Sequence, residues 1–402
     1  MTIYLLLVAL ILFAGITGSL FIKKKKIRDL VVVIFCFAII YLLSSLKSIN
    51  VGSDTMAYYE GYEMAKDTGW SVLTIGNFEP GYVFISRLFA KMGIPFQVFL
   101  FFIYALIYFP LARFIYKYSP QVIMSVIVFT CFQFLNFHLS GLRQALAISI
   151  GLIAFDFIAM KSKWRYLFFF ATVLIGMLFH RSIFIFLPAI FIAKIKISAK
   201  SLFLIVVPIV VLLLIFHYQI YAYLWTLIPT LQEPGDYGTS GILLAIMLTV
   251  FILAGVFRSE NVIAQKTNDI FCSLDKKFIA KLEGTKIYPK LQRFAANNEN
   301  LAFKASSGAA NSETVYRASL VFMLISAFFW IFGFDSLVSS RAGLYYLIFI
   351  IILLPIVINH QRSIILKSLA YSVATVTLIM LFVYVLRSGG LKIVPYEFFF
   401  MA

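Results

Sequence analysis

The sequence predicts an all-α polytopic membrane protein, a single integral membrane domain over residues 1–402 with about 12 transmembrane helices. Three observations carry that prediction. Hydrophobic residues make up 62% of the chain and charged residues 13%, whereas soluble domains carry about a quarter charged. Apolar runs of about 18 residues or more recur along almost the whole length, each long enough to cross a ~30 Å hydrocarbon core as a helix. The polar segments between them alternate in basicity, as the loops of a polytopic protein do.

In order, spans are expected near 3–22, 30–47, 95–113, 121–138, 142–160, 164–180, 182–194, 201–217, 241–257, 317–334, 343–360 and 368–386. The first, Ile3 to Ile22, has no basic stretch before it and no small-x-small cleavage site after it, so it is expected to be a retained span. The weakest is 182–194, which is short and follows an interruption at Phe179-His180-Arg181-Ser182. Merging it with 164–180 would invert everything downstream, but the basic cluster Lys194/Lys196/Lys200 argues for two spans. Between the spans lie an outer loop with short helices (48–94), a second outer loop (218–240) and a cytoplasmic loop (258–316).

Orientation follows from the charges. Lys23 to Arg28, Arg113/Lys117, Lys161/Lys163/Arg165, Lys194/Lys196/Lys200, the 258–317 segment and Arg362/Lys367 together hold 25 of the 34 lysines and arginines. That side is cytoplasmic by the positive-inside rule, and both termini lie outside. With seven acids against 25 bases inside and nine against nine outside, the formal +17 is orientation signal, Asp156 being left within a span. Such an excess also suits an anionic inner leaflet. Nucleic acid is not needed to explain it. Asp156 is expected to pair with Lys161, Lys163 or Arg165.

The 258–316 segment mixes Phe271, Phe278, Ile279 and Leu282 with lysines and has no spanning run. One or two amphipathic helices on the inner leaflet are expected there, with docking of other assembly proteins as the alternative. Asn297 to Ser312 is expected to be flexible. Cys36, Cys131 and Cys272 have no metal-ligand spacing and imply no disulfide framework. No internal repeat relates the two halves, which weakens a transporter reading.

Candidate chemistry gathers on the outer face. Arg143 (Ser140-Gly-Leu-Arg143-Gln144), Arg181 (His180-Arg181-Ser182) and Arg341 (Ser339-Ser340-Arg341, with Tyr345 beyond) each stand near the start of an inward-running span. Unpaired N–H groups and the helix dipole favour an anion there, and a guanidinium fork holds two phosphate oxygens at once. Ser140 and Ser340 are expected N-caps. The competing explanation is that interfacial arginines snorkel to lipid headgroups.

The first outer loop supplies Ser53 as an expected cap and Asp54, Tyr58 and Tyr62 at i, i+4 and i+8 on one stripe. A carboxylate there can act as general base for a sugar hydroxyl. The tyrosines offer stacking surface, though Tyr is also enriched at membrane interfaces in general. Glu79-Pro80-Gly81-Tyr82 marks a helix start, with Glu79 either a second active-site acid or a favourable N-terminal charge. His180 is a base or sugar-binding donor, or structural. No P-loop, His-Glu-x-x-His, Gly-x-Ser-x-Gly or clustered Asp-x-Asp motif is present, so neither ATP drive nor metal-dependent transfer is supported.

The ordered set Gly52/Asp54/Tyr58/Tyr62, Glu79 to Tyr82, Arg143-Gln144-Ala145, Phe179-His180/Ser182, Arg341/Tyr345 and Pro395-Tyr396/Phe398 resembles the EpsG/Wzy family of surface-polysaccharide polymerases. Each motif alone is weak, but together they run over nearly the whole chain; the 258–316 segment is longer than the family pattern. The resemblance implies a type C glycosyltransferase-like architecture in a bacterial inner membrane. It implies polymerisation of O-antigen, capsule or exopolysaccharide repeat units carried on undecaprenyl pyrophosphate, without metal or cofactor. Asp54, Arg143 and Arg341 would be catalytic. Arg181, His180, Glu79, Tyr58, Tyr62, Tyr82, Gln144 and Tyr345 would bind substrate. Expected partners are the lipid-linked oligosaccharide, membrane lipids and other assembly proteins such as a chain-length regulator or flippase, with no nucleic acid. Rival expectations are a lipid-linked sugar flippase and a single-addition glycosyltransferase or ligase.

Overall fold

The computed structural model describes residues 1–195, 205–228, 233–234, 241–256, 262–281, 283 and 310–401. Every regular element among them is helical. Six helices are long and apolar enough to span a membrane, and two bent pairs raise the number to eight. The chain divides into two compact units, Met1–Ile190 with Val376–Ala402, and Phe191–Thr375.

In the first unit, α1 (Thr2–Phe21) buries Tyr4, Leu7, Val8, Ile11, Ala14 and Gly18, a stripe at helical spacing. Leu6, Phe13, Ile16 and Leu20 of the same helix stay exposed, an outer surface as apolar as lipid tails. Next come α2 (Lys25–Ser45), the two shorter helices α3 (Thr55–Asp67) and α4 (Pro80–Lys91), and α5 (Phe96–Tyr118). Polar bonds add to the packing within the apolar layer: the Ser44 and Tyr108 hydroxyls lie 2.8 Å apart, and Ser149 Oγ donates to Ile107 O at 2.8 Å. In the segment between α2 and α5, α3 packs on α4 around Ala65, Ile75, Val83 and Phe78.

The span expected at 121–138 is broken into α6 (Val122–Cys131) and α7 (Phe134–Ser140), bent by 55°, with Gln133 at φ 74° in the break. The chain then turns through Gly141 into α8 (Leu142–Ile158) and α9 (Arg165–Met177). The interruption at 178–180 is real. Leu178 O accepts from Gly81 N at 2.8 Å and Tyr82 N at 3.3 Å, so that carbonyl serves the outer loop and the helix does not continue. Beyond it are a 3₁₀ turn, Arg181–Phe186, and α10 (Ala189–Ile192).

The 12-span count therefore resolves differently. The stretches expected to span at 142–160 and 164–180 form helices of 17 and 13 residues, and among the described residues six to eight spans have the length and apolarity of a crossing. Asp156 also departs from expectation. It pairs with Arg113 (2.5 Å) and Lys117 (2.8 Å) of α5 and not with the loop that follows it, because α8 packs along α5 and brings those two cations to its side.

The second unit holds α11 (Val207–Leu227), α12 (Gly241–Val256), α13 (Val262–Ala280), α14 (Ala310–Ile331), the bent pair α15 (Leu337–Leu347) and α16 (Ile350–Asn359), and the first part of α17 (Ile364–Arg387). Of the outer loop expected at 218–240, the residues to Leu227 continue α11 and most of the rest lies outside the described residues. So does most of Asn297 to Ser312. Amphipathic α13 is tied down by one face. Asn268 bonds Gln361 and Arg362 N, and Asp275 accepts from Ile364 N (2.8 Å) and Ile365 N (3.0 Å), capping α17. His217 Nδ1 meets the buried Asp335 carboxylate at 2.7 Å.

After α17 the chain returns through Gly389 to Phe399 against the turn that follows α2. Gly52 N donates to Lys392 O, Ser53 N to Leu391 O, Ser48 N to Glu397 O and Phe399 N to Leu46 O, all at 2.8–2.9 Å. Tyr4 and Tyr396 hydroxyls donate to Ile393 O and Leu43 O.

Candidate active site

Glu79 is the N-cap of α4, with Pro80 at the first helical position as Glu-Pro at a helix start requires. Gly81 follows because a Cβ there would stand 2.7 Å from Leu178 O. This close approach carries Glu79 to the 178–181 turn. Glu79 is buried, 4% exposed as a residue, and its carboxylate is met by three donors. Oε2 takes a salt bridge from Arg143 Nη1; Oε1 accepts from Arg181 N at 3.1 Å and faces His180 Nδ1 at 3.1 Å. Burial alone would raise the Glu79 carboxyl. The His180 hydrogen bond, the Arg143 charge and the Arg181 N–H together outweigh it and hold the group down at about 2. Glu79 is therefore ionised at neutral pH and poorly suited to accept a proton.

Arg143, the second residue of α8, also donates from Nη1 to Asn77 O at 2.8 Å. Its guanidinium lies over the Phe78 ring at 4.5 Å and near the Tyr58 ring at 5.8 Å, a cation–π setting. Its Nε is buried without a partner among the described residues. The Arg181 side chain is exposed while its backbone serves Glu79.

Asp54 is the N-cap of α3 and half-buried. Ser53 Oγ donates to its Oδ1 at 2.9 Å and lies 2.7 Å from Ser140 Oγ, so the Asp54 turn abuts the entry to Arg143. Two expected caps fail here for that reason. Ser140 is used on Ser53 while Gly141 takes the cap position of α8, and Ser53 bonds a side chain and leaves the cap position of α3 to Asp54. Ser340 likewise lies inside α15, bonded to Leu337 O, with Ser336 at the cap.

The tyrosines divide. Tyr58 and Tyr82 are buried with Phe78 in an aromatic cluster behind Arg143. Tyr62 donates its hydroxyl to Ile94 O at 2.6 Å and packs on Phe96 and Phe99. Gln144 is buried on α8. Arg341 and Tyr345 belong to the second unit, Arg341 exposed on α15 and Tyr345 buried. The structure thus brings Glu79, Arg143, His180 and Arg181 into one cluster, with Asp54 beside its entry through Ser53 and Ser140. Sequence reasoning misses Lys47, buried under the Asp54 turn, and the His217–Asp335 pair. A lone lysine at the very end of an apolar run is the available signal for the first.

The arrangement is a pinned guanidinium at a helix start, a second exposed guanidinium beside it, and a carboxylate on the neighbouring turn. The family model for EpsG matches residues 30–398, nearly the whole chain and every site residue named above. The chain belongs to the EpsG family. No curated protein and no solved structure matches it. EpsG membership and the apolar helices make it a multi-pass membrane protein with a surface-polysaccharide polymerase-like function.

Proposed function

We propose that this EpsG-family protein is a polysaccharide polymerase at the outer face of a bacterial inner membrane, transferring a growing glycan from undecaprenyl pyrophosphate to an incoming lipid-linked repeat unit. The observation that carries the proposal is the Glu79–Arg143–His180–Arg181 cluster. Glu79 orients Arg143 at the start of α8, where the positive end of the helix dipole already favours an anion. With Arg181 alongside, the cluster stabilises the negative charge that develops on pyrophosphate as it departs. Arg341, in the second unit, is assigned an anion by its motif alone.

In this scheme an acceptor hydroxyl oxygen attacks the anomeric carbon of the donor. The bond from that carbon to the phosphate oxygen breaks, lipid pyrophosphate leaves, and configuration inverts. The hydroxyl proton passes to Asp54, the carboxylate at the cluster's edge, which accepts from Ser53 on one oxygen. Glu79, by contrast, is occupied on both oxygens. A flippase would need polar groups lining a passage through the bundle. The polar side chains His138 and Asn136 of α7 are instead buried, at 0% and 1% exposure.

The surface-glycan ladder of cells lacking the protein tests the proposal. A polymerase defect leaves single repeats displayed outside. Single repeats retained on the cytoplasmic side would point to a flippase, and long chains still on the carrier to a ligase.

A further inference from the structure

Lys47 lies just past α2 and is 2% exposed, where a lysine at a span end ordinarily extends to headgroups and water. Its Nζ donates to Val51 O at 2.8 Å, Thr55 Oγ1 at 2.5 Å and Leu139 O at 2.5 Å. That uses all three donors an ammonium has. All three acceptors are neutral, so burial of the charge is not offset by a contacting carboxylate, a costly arrangement for a group that served only to fill space.

The acceptors are placed on either side of the proposed chemistry. Val51 and Thr55 bracket Asp54, and Leu139 precedes Ser140 and the Arg143 end of α8. Between them Gly52 sits at φ +96°, and a Cβ there would fall 2.4 Å from Leu139 O, so the turn rests directly on that carbonyl. The N–H groups of Gly52 and Ser53 are taken by Lys392 O and Leu391 O. With its N–H groups held from the tail and its oxygens from Lys47, the turn is tied on both sides without belonging to a helix or sheet.

We infer that Lys47 is a positioning residue of the reaction: through Val51, Thr55 and Leu139 it fixes the Asp54 turn against the start of α8, and so sets base and pyrophosphate clamp in register. The inference rests on the polymerase reading of the same site. It is supported by the charges. Burial pushes the Lys47 ammonium down to about 7 while the Asp54 carboxylate works the other way, so the lysine lies within the field of that carboxylate. A group that acts through Asp54 has nothing left to position once Asp54 cannot take a proton. Its loss is then absorbed by the Asp54 variant, whereas general structural damage multiplies in any background.

The test uses the full chain reconstituted with lipid-linked repeat units, with Lys47→Met and Thr55→Val made in the wild-type and Asp54→Asn backgrounds. In the wild-type background Lys47→Met should lower kcat about 10–100-fold with KM changed less than about 3-fold, and Thr55→Val about 3–10-fold. In the Asp54→Asn background each should cost less than about 2-fold more, measured in single turnovers. Equal fold losses in both backgrounds, or wild-type kcat in Lys47→Met, would overturn the inference while leaving the polymerase reading intact. Should Lys47→Met fail to fold, Thr55→Val keeps the lysine and carries the same comparison. A wild-type protein that makes no polymer from these substrates would instead remove the polymerase reading, and the role of Lys47 with it.

Discussion

Glu79 and Arg143 are joined by a salt bridge that ties the N-terminal cap of α4 to the first turn of α8. Both members are largely buried, with side chains 6% and 14% exposed. Such a pair adds little net stability, but removing one partner leaves the other charge uncompensated. Its use is therefore geometric: it decides where the guanidinium points.

Replacing Arg143 or Arg341 by lysine keeps the charge and removes the planar fork. A bidentate phosphate role predicts that Arg143→Lys and Arg341→Lys each lose most long-chain polymer at matched protein levels, whereas an interfacial anchor would tolerate lysine. Gel ladders of surface glycan read the result, and wild-type chain lengths in both variants would refute the clamp.

Asp54→Asn keeps shape and an acceptor oxygen but cannot take a proton at neutral pH. Turnover should fall about 10²–10⁴-fold, the span usual for removal of a general base, with binding of lipid-linked donor retained. Purified, reconstituted protein with near-normal turnover would end Asp54's candidacy.

The depressed carboxyl of Glu79 has a pH signature. A group ionised down to about 2 when folded, against about 4.3 in an unfolded chain, stabilises fully above the higher value. That contribution drains away as pH falls from about 4.3 through about 2. The thermal midpoint of the detergent-solubilised wild type should therefore fall over that window, and that of Glu79→Gln should fall less steeply. Parallel curves for the two proteins would contradict the structure of the cluster.

Orientation is checked by single cysteines in a background lacking Cys36, Cys131 and Cys272. A membrane-impermeant thiol reagent applied to intact cells should modify a cysteine at position 54 and spare one at position 277, since basic residues concentrate on the side of Lys277. The opposite pattern would overturn the placement of the site outside.

Much of the fold is legible in the amino-acid sequence. Spans near 3–22, 30–47 and 95–113 stand out because a long apolar run leaves few options in a membrane, and they appear as α1, α2 and α5. Glu79-Pro80 signals a helix start through local chemistry alone, and Arg143 beside a helix N-terminus is visible in the same way. What stays hidden depends on contacts between distant residues. Nothing local says that Leu178 O will be claimed by Gly81 and Tyr82, which is where the hydrophobic stretch from 164 to 194 is interrupted. Burial of Lys47 is equally invisible, because two of its partners are backbone carbonyls and a carbonyl has no identity in sequence. Ser140 reads as a cap because Ser53, its actual partner, lies 87 positions away.

The hydrogen bonds from Gly52 and Ser53 to Lys392 and Leu391 set a timetable for the protein's assembly. During synthesis the turn bearing Asp54 emerges early, yet the carbonyls that satisfy its amides leave the ribosome only after every membrane helix has been made. Until then the Gly52 and Ser53 amides lack these acceptors, and a nascent chain, or one cut short before Leu391, holds the turn untied on that side. The turn bearing Asp54 is in this sense completed only when that late segment has folded back onto it.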